Sequence, residues 1–288
     1  MKATTQLRTL LSKDEILLAP FTYDAFAARI GQEVGFKAIY MSGFGVSMSK
    51  GVPDIGLLTQ TEMIENATYM AQAIDIPLIA DADTGYGNPL NAWRTIRDYQ
   101  RSGVAGVHIE DQVTPKRCGF FEGKEVIPKE EAVQKIRSAV DARTDPDFVI
   151  IARSDALVVN GWEDTVARCL AYHEAGADLV FVDGIQNLKD LEAYAKLLKP
   201  VPRMYNGELP LAESRRLGFK IQIHRGPMFS LHTAITSFMK ELLETGSMSE
   251  YANGNGTLLR KAITKTLDLD SFQEMESRYA AHRDKEET

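Results

Sequence analysis

Short runs rich in β-branched and apolar residues recur eight times along the chain, at 16–21, 37–42, 76–83, 106–111, 148–155, 178–183, 201–206 and 220–224, and each predicts a strand. Most are near-continuously apolar instead of alternating, the pattern of parallel strands covered on both faces. Between them apolar positions recur with helical spacing, for example over 61–73, 89–102, 129–142 and 162–175. Punctuation agrees. Thr59 with Glu62 has capping-box spacing, Pro89 suits a first helical turn, and Gly35, Gly103 and Gly176 stand where helices should stop. Eight strand–helix units in succession predict an α/β fold, a (β/α)8 TIM barrel. A doubly wound open sheet would place a glycine-rich phosphate turn after an early strand, and the chain has none. Beyond the eighth strand, 227–244 reads as helix, 251–256 as a polar break and 257–281 as helix, with a solvated tail at 283–288. The expectation is therefore a single barrel domain over 1–288, with 248–288 as a C-terminal helical extension. These extra helices either close the barrel bottom or exchange between subunits.

Composition narrows the picture. With 288 residues, 44% hydrophobic and 25% charged, the chain can bury a core without disulfides or structural metal, and it is neither disordered, collagenous nor a coiled coil. No apolar run reaches the ~18 residues of a membrane span, so no membrane partner is expected. The first 13 residues lack the apolar stretch of a secretory leader, and Cys118 and Cys169 make no disulfide framework, so a cytoplasmic location is expected. A net charge of −7 without a basic stripe excludes nucleic acid as a partner. Any anionic substrate must be met by local positive groups.

In a barrel of this type the chemistry sits at the C-terminal ends of the strands. Here those ends carry Tyr40-Met-Ser-Gly, Asp81-Ala-Asp83, His108-Ile-Glu110-Asp111, Arg153-Ser-Asp155, Asp183, Asn206-Gly-Glu208 and His224-Arg225. Residues two apart share a strand face, so Asp81 and Asp83 are expected to point the same way, as are His108 and Glu110. Asp81, Asp83 and Glu110 would repel one another unless a cation sat among them, and an all-oxygen set suits Mg2+ or Mn2+. The alternative is that these acids cap loops or pair with arginines. Arg153 offers a donor fork for a substrate carboxylate. The segment 111–128 is long for a strand–helix connection, charged and glycine-containing, which marks it as an active-site lid. On it Cys118 follows Lys116 and Arg117, cationic neighbours that favour a thiolate able to shuttle a proton. A surface thiol is the plainer alternative, and Cys169, mid-helix among apolar residues, reads as inert core.

The chain resembles the isocitrate lyase/phosphoenolpyruvate mutase superfamily over most of its length, and in particular its 2-methylisocitrate lyase/2,3-dimethylmalate lyase branch. The resemblance is carried by Tyr40-Met-Ser-Gly, Gly51-Val-Pro-Asp-Ile-Gly, Asp81-Ala-Asp-Thr-Gly-Tyr-Gly-Asn88, His108-Ile-Glu-Asp-Gln112, Lys116-Arg-Cys-Gly119 and Ile151-Ala-Arg-Ser-Asp155. It implies a barrel whose eighth helix swaps between subunits of a homotetramer. It implies Mg2+ (or Mn2+) on Asp81 and Asp83, with Glu110 and Asp54 around it. Ser42, Gly43 and Arg153 would bind the 2-oxo or 2-hydroxy end of a dicarboxylate, with Phe44, Gly119, Phe120, Asp183, Asn206 and His224 completing the substrate site. Tyr40 would be the base and Cys118 the acid that protonates the carbanion released on C–C cleavage. An Asn-Ser pair in the lid, typical of the phosphonate-processing branch, is missing. The sequence also departs from the lyase pattern. Phe120 replaces a histidine, Asp183 replaces a glutamate, Asn206 is followed by an unfamiliar Gly-Glu-Leu-Pro, and the arginine motif of 2-methylisocitrate lyases is not found near the C-terminus. His224 resembles a histidine of the oxaloacetate decarboxylase branch. These departures argue against a tricarboxylate and favour a smaller or more apolar acid, such as an alkylated malate. Oxaloacetate decarboxylation or hydrolysis, phosphonate processing, and a non-catalytic metabolite- or protein-binding role are the alternatives.

Overall fold

The computed structural model describes residues 1–119, 121–248 and 255–280. Phe120, most of the predicted break at 251–256 and the tail 283–288 lie outside them. The chain divides into two compact units, Met1–Ser230 and Leu231–Thr288. In the first, strands β1 (Leu17–Thr22), β2 (Ile39–Met41), β3 (Leu78–Asp81), β4 (Gly106–Glu110), β5 (Val149–Ser154), β6 (Leu179–Val182), β7 (Arg203–Asn206) and β8 (Ile221–His224) pair in parallel in chain order. β8 returns to β1, with Leu17 opposite Ile221, and closes the barrel.

Alternate strand residues face opposite sides, and the core divides accordingly. Tyr40, Ile79, Val149, Ile151, Phe181, Met204, Ile221 and Ile223 fill the interior. Ile39, Met41, Leu78, Val107, Ile109 and Ile150 pack outward against Met63, Met70, Ile96 and Tyr99 of the surrounding helices. The predicted helix signals act as read. Thr59 and Glu62 form a reciprocal capping box at Gln60–Ala73, and Asn88 caps Pro89–Ser102 with Pro89 in its first turn. That helix ends at Gly103, whose φ of 93° only glycine adopts readily. A helix the pattern did not single out, Ala3–Ser12, covers the N-terminal end of the barrel. Leu7 is wholly buried in the interior cluster, and Arg8 bonds the carbonyls of Asp147 and Phe148 and the carboxylate of Asp178.

β3 is shorter than its prediction. It stops at Asp81, and Asp83 lies beyond it with φ at 45°. The backbone N–H of Asp83 donates to Asp81 Oδ1 at 3.0 Å, so the chain turns instead of continuing extended. The two acids are therefore brought together by a turn and not by a shared strand face. In the second unit, the helices Asn255–Thr266 and Leu269–Tyr279 leave Leu258, Phe272 and Met275 exposed. Among the described residues no helix is long and apolar enough to cross a membrane.

Candidate active site

A cavity of about 410 Å³ opens at the C-terminal ends of the strands. Continuing the interior period from Ile79, His108, Ile151, Phe181, Met204 and Ile223 leads to Asp81, Glu110, Arg153, Asp183, Asn206 and Arg225. Among the predicted residues, Tyr40, Ser42, Phe44, Asp54, Asp81, Cys118, Gly119, Arg153, Asp183 and Asn206 line this cavity. Gly43, Asp83 and Glu110 stand just behind the lining. The N–H of Gly43 donates to Asp81 Oδ2 at 3.1 Å, and a Cβ on Gly43 would stand 2.7 Å from that oxygen, which is why the position takes glycine. His224 does not line the cavity; its Nδ1 accepts from the Gly226 N–H at 3.0 Å.

Charge organises the site in two clusters. In the first, the Lys116 ammonium enters from the lid, 2.5 Å from Asp54 Oδ1 and 2.9 Å from Asp83 Oδ1. It is 4% exposed, and these acids hold its pKa well above the ordinary lysine value against the cost of burial. The cation demanded by the clustered acids is thus supplied in part by a residue whose expected role was to activate Cys118. Burial, reinforced by Asp81 and Asp54, still pushes Asp83 up to about 6. Asp81 stays below its ordinary value despite burial, because His108, Lys116 and Arg153 surround it. Glu110 is driven well above its own by burial, which Arg153 offsets only in part.

The second cluster surrounds Arg153. Asp155 grips its guanidinium with both oxygens, at 2.8 Å and 2.9 Å, while Glu110 and Asp183 approach at 3.3 Å and 3.4 Å. Lys124, also on the lid, reaches Asp155 at 3.0 Å and Asp183 at 2.9 Å. Burial opposes the charge on Asp155, but Arg153 and Lys124 prevail and hold its carboxyl far below the usual range. Behind it, Asp111 accepts from the Asp155 N–H, Ser154 Oγ and the Tyr172 hydroxyl, and Arg168 stands 3.3 Å away. Asp111 points outward from β4 and serves as an anchor for the Arg153–Asp155 pair.

Tyr40 is 2.6 Å from His108 Nε2, the two rings nearly parallel at 5.7 Å. His108 Nδ1 has no hydrogen-bond partner, and a bare lone pair is cheaper to bury than an orphan N–H. The proton therefore sits on Nε2, which donates to the phenol oxygen and leaves the phenol O–H free to turn to the cavity. Burial lowers His108 to about 4, so the ring is neutral near pH 7, and burial together with Asp81 pushes Tyr40 well above its ordinary value.

The lid is closed. Its limbs meet at the Gln112–Val126 bridge, the Gln112 amide binds the Arg117 backbone, and the Cys118 N–H donates to the Asp54 carbonyl at 3.0 Å. This buries Cys118 to 5% exposure against the cavity, so it is not a surface thiol. Cys169 is fully buried, and burial drives its thiol far above the ordinary value, as expected of inert core. Lys116, Lys124, Asp155, His108 and Arg225 are the site residues to which the sequence reading gave no site role of their own.

Over residues 7–243 the chain matches the family described as phosphoenolpyruvate phosphomutase. The chain belongs to this family. It is 37% identical to 2,3-dimethylmalate lyase of Eubacterium barkeri, covering 98% of this chain and 100% of that one. Against 2-methylisocitrate lyase of Aeropyrum pernix it is 36% identical, covering 95% and 89%. Among solved structures, oxaloacetate acetylhydrolase in complex with 3,3-difluorooxalacetate superposes with a TM-score of 0.89 at 33% identity, covering 96% of each chain. Phosphonopyruvate hydrolase in complex with oxalate and Mg2+ superposes at 0.88 and 28% identity, covering 97% of this chain and 99% of that one. The family and the named lyases among its relatives make this chain an enzyme.

Proposed function

We propose that this family member is a divalent-metal-dependent carbon–carbon lyase that splits a 2-hydroxydicarboxylate, of the alkylmalate or methylisocitrate type, into a 2-oxo acid and a carboxylic acid. The observation that carries this reading is the Cys118 thiol, held by a closed lid against a cavity that Tyr40, Asp81 and Arg153 also line.

The donor set suits a hard cation. Asp81, Asp83, Glu110 and Asp54 offer only oxygen, and both Glu110 oxygens are buried without a hydrogen-bond partner. Among the described residues no three acidic, histidine or cysteine side chains are already arranged to hold a metal between them. When bound, it would polarise the substrate's 2-oxygen and offset charge that develops there.

The protein's own part follows from its groups. Arg153, preset by Asp155, and the Ser42 hydroxyl, which lines the cavity, hold the C1 carboxylate. To act as the base Tyr40 must enter the step as the phenolate, to which His108 Nε2–H donates. It then takes the proton of the 2-hydroxyl as the C2–C3 bond breaks and the C2 carbonyl forms, and loses that proton again at turnover. The electron pair passes to C3 and its carboxylate, and Cys118 delivers its S–H proton to C3, leaving a thiolate to be reprotonated at turnover. The closed lid excludes water that would otherwise compete with each interaction.

A screen of C4–C7 2-hydroxy- and 2-oxo-diacids with Mg2+, read by release of 2-oxo acid, is the test. Cys118→Ser should lower cleavage by at least about 10²-fold, the scale of a lost general acid, with little change in thermal stability. Turnover at the wild-type rate in that variant removes the mechanism. The likeness to oxaloacetate acetylhydrolase favours cleavage of oxaloacetate as the second reading. A Cys118→Ser enzyme that still releases CO2 from oxaloacetate would support its decarboxylation, which needs no cysteine acid. The same proposal takes the chain as one barrel domain with a helical extension at 248–288, assembled as a cytoplasmic homotetramer. The exposed Leu258 and Phe272, 65% and 58% accessible, support burial of that segment in an assembly.

A further inference from the structure

We propose that Tyr86 is a positioning residue for Asp81 and Asp83, bracing the turn that brings the two carboxylates together; the proposal rests on the metal-holding role read for those acids above. Beyond β3, Asp83, Gly85, Tyr86 and Gly87 all take positive φ, at 45°, 76°, 59° and 144°. Glycine adopts such angles freely, whereas a bulky side chain does so under strain. Glycine at 86, as at 85 and 87, would relieve that strain, so a tyrosine kept there marks a side chain with a role. Its surroundings show the role. The ring packs against the outer core cluster that includes Tyr99 and Ile109. Its hydroxyl lies 3.4 Å from the Tyr99 hydroxyl. Tyr99 is wholly buried and gives its own proton to the Asp81 carbonyl at 2.8 Å. The Tyr86 hydroxyl is therefore the donor of the longer contact, and the pair of tyrosines ties the far part of the turn back to the end of β3.

Backbone bonds set the path of the turn. The Gly85 N–H donates to the Ala82 carbonyl and the Glu110 N–H to the Asp83 carbonyl, each at 2.9 Å. A Cβ on Gly85 would stand 3.2 Å from the Ala92 side chain, so the turn lies against the start of the helix Pro89–Ser102. The lid meets the same turn at its near part, where Thr84 Oγ1 is 2.9 Å from Thr114 Oγ1 and Lys116 reaches Asp83. Tyr86 secures the far part. Without its ring, residues 85–87 lose their hold on the core, and Asp83 is freer to move away from Asp81. Two carboxylates that share a cation must be kept close against their own repulsion, and outer contacts of this kind commonly set the affinity of the pair.

Two measurements on the full chain test this: amide exchange over 81–88 in metal-free protein, read by mass spectrometry, and Mg2+ binding by calorimetry. They are compared for wild type, Tyr86→Gly, Tyr86→Asn and Tyr86→Phe. Leu7→Ala, a core variant at the other end of the barrel, controls for a general loss of stability. Tyr86→Gly should quicken exchange over 81–88 about tenfold and weaken Mg2+ about tenfold, the low end for outer partners of metal ligands. Asparagine also accepts left-handed backbone, so Tyr86→Asn isolates the loss of the ring and decides the matter if the glycine variant does not fold. Tyr86→Phe keeps the ring and should stay within about threefold of wild type, the scale of one weak hydrogen bond. Leu7→Ala should change neither quantity. Exchange unchanged in the glycine and asparagine variants, or quickened with Mg2+ affinity intact, overturns the proposal. A Leu7→Ala protein that loses Mg2+ affinity equally also overturns it, since the loss would then report general stability. A wild type that takes up no Mg2+ contradicts the metal reading instead, and the bracing then stands or falls on exchange in the metal-free protein.

Discussion

Two oxygens of Asp155 hold the Arg153 guanidinium at 2.8 Å and 2.9 Å, and the Asp155 backbone is itself held by Asp111. The arginine therefore needs no reorganisation when a carboxylate arrives, and this preset geometry is what makes a buried donor effective. Asp155→Asn should cost about 3 kcal/mol, because it removes one partner of a buried pair and leaves Arg153 and Lys124 undercompensated. The pH dependence of that cost has a definite sign. The folded-state pKa of Asp155 lies below its unfolded value, so its stabilisation is complete above roughly pH 4 and fades as pH falls towards the folded value. Urea unfolding of both proteins between pH 3 and 7 checks this; a gap that widens towards acid would contradict it.

At the scale of the element, the lid is fastened by its two lysines. Lys116 ties one limb to Asp54 and Asp83, and Lys124 ties the other to Asp155, Asp183 and the Gly119 carbonyl. Both latches land on acids of the barrel mouth, so lid closure and site charge are one arrangement. Lys124→Met keeps the bulk and removes the charge. It should speed tryptic cleavage at the lid's exposed Arg117 several-fold, read by mass spectrometry, and lower kcat/KM by about tenfold, since closure excludes water. Unchanged cleavage would mean that the lid is held elsewhere. The sequence marked this segment as a lid through its length, charge and glycines. Which lysine meets which acid was not legible, because the partners lie up to 62 residues apart in the chain, as Lys116 and Asp54 do.

For the whole molecule, the barrel separates stability from chemistry along its axis. Leu7, on the helix covering the N-terminal end, is wholly buried among Leu17, Ile79, Val149, Leu179 and Ile221. Leu7→Ala should destabilise by about 3 kcal/mol through lost burial and the cavity left behind. Its kcat should stay within about twofold of wild type, as expected of a substitution at the stability end of the fold. Chemical denaturation and steady-state kinetics on one preparation check both halves, and a parallel loss of kcat would show that the two ends are coupled.

Periodicity, caps and strand-end residues by themselves determined the eight strand–helix units, the parallel barrel and the rim on which the chemistry stands, because local spacing dictates which face each residue takes. The period from Ile221 through Ile223 would also have selected Arg225 over His224, had it been carried one step further. Tertiary structure alone decided that Asp83 leaves the strand, that Lys116 neutralises the acids, that Asp155 presets Arg153, and that Cys118 is buried against the cavity. Each of these depends on charges and hydrogen bonds between distant segments, whose strength is set by burial, and burial exists only once the barrel has closed.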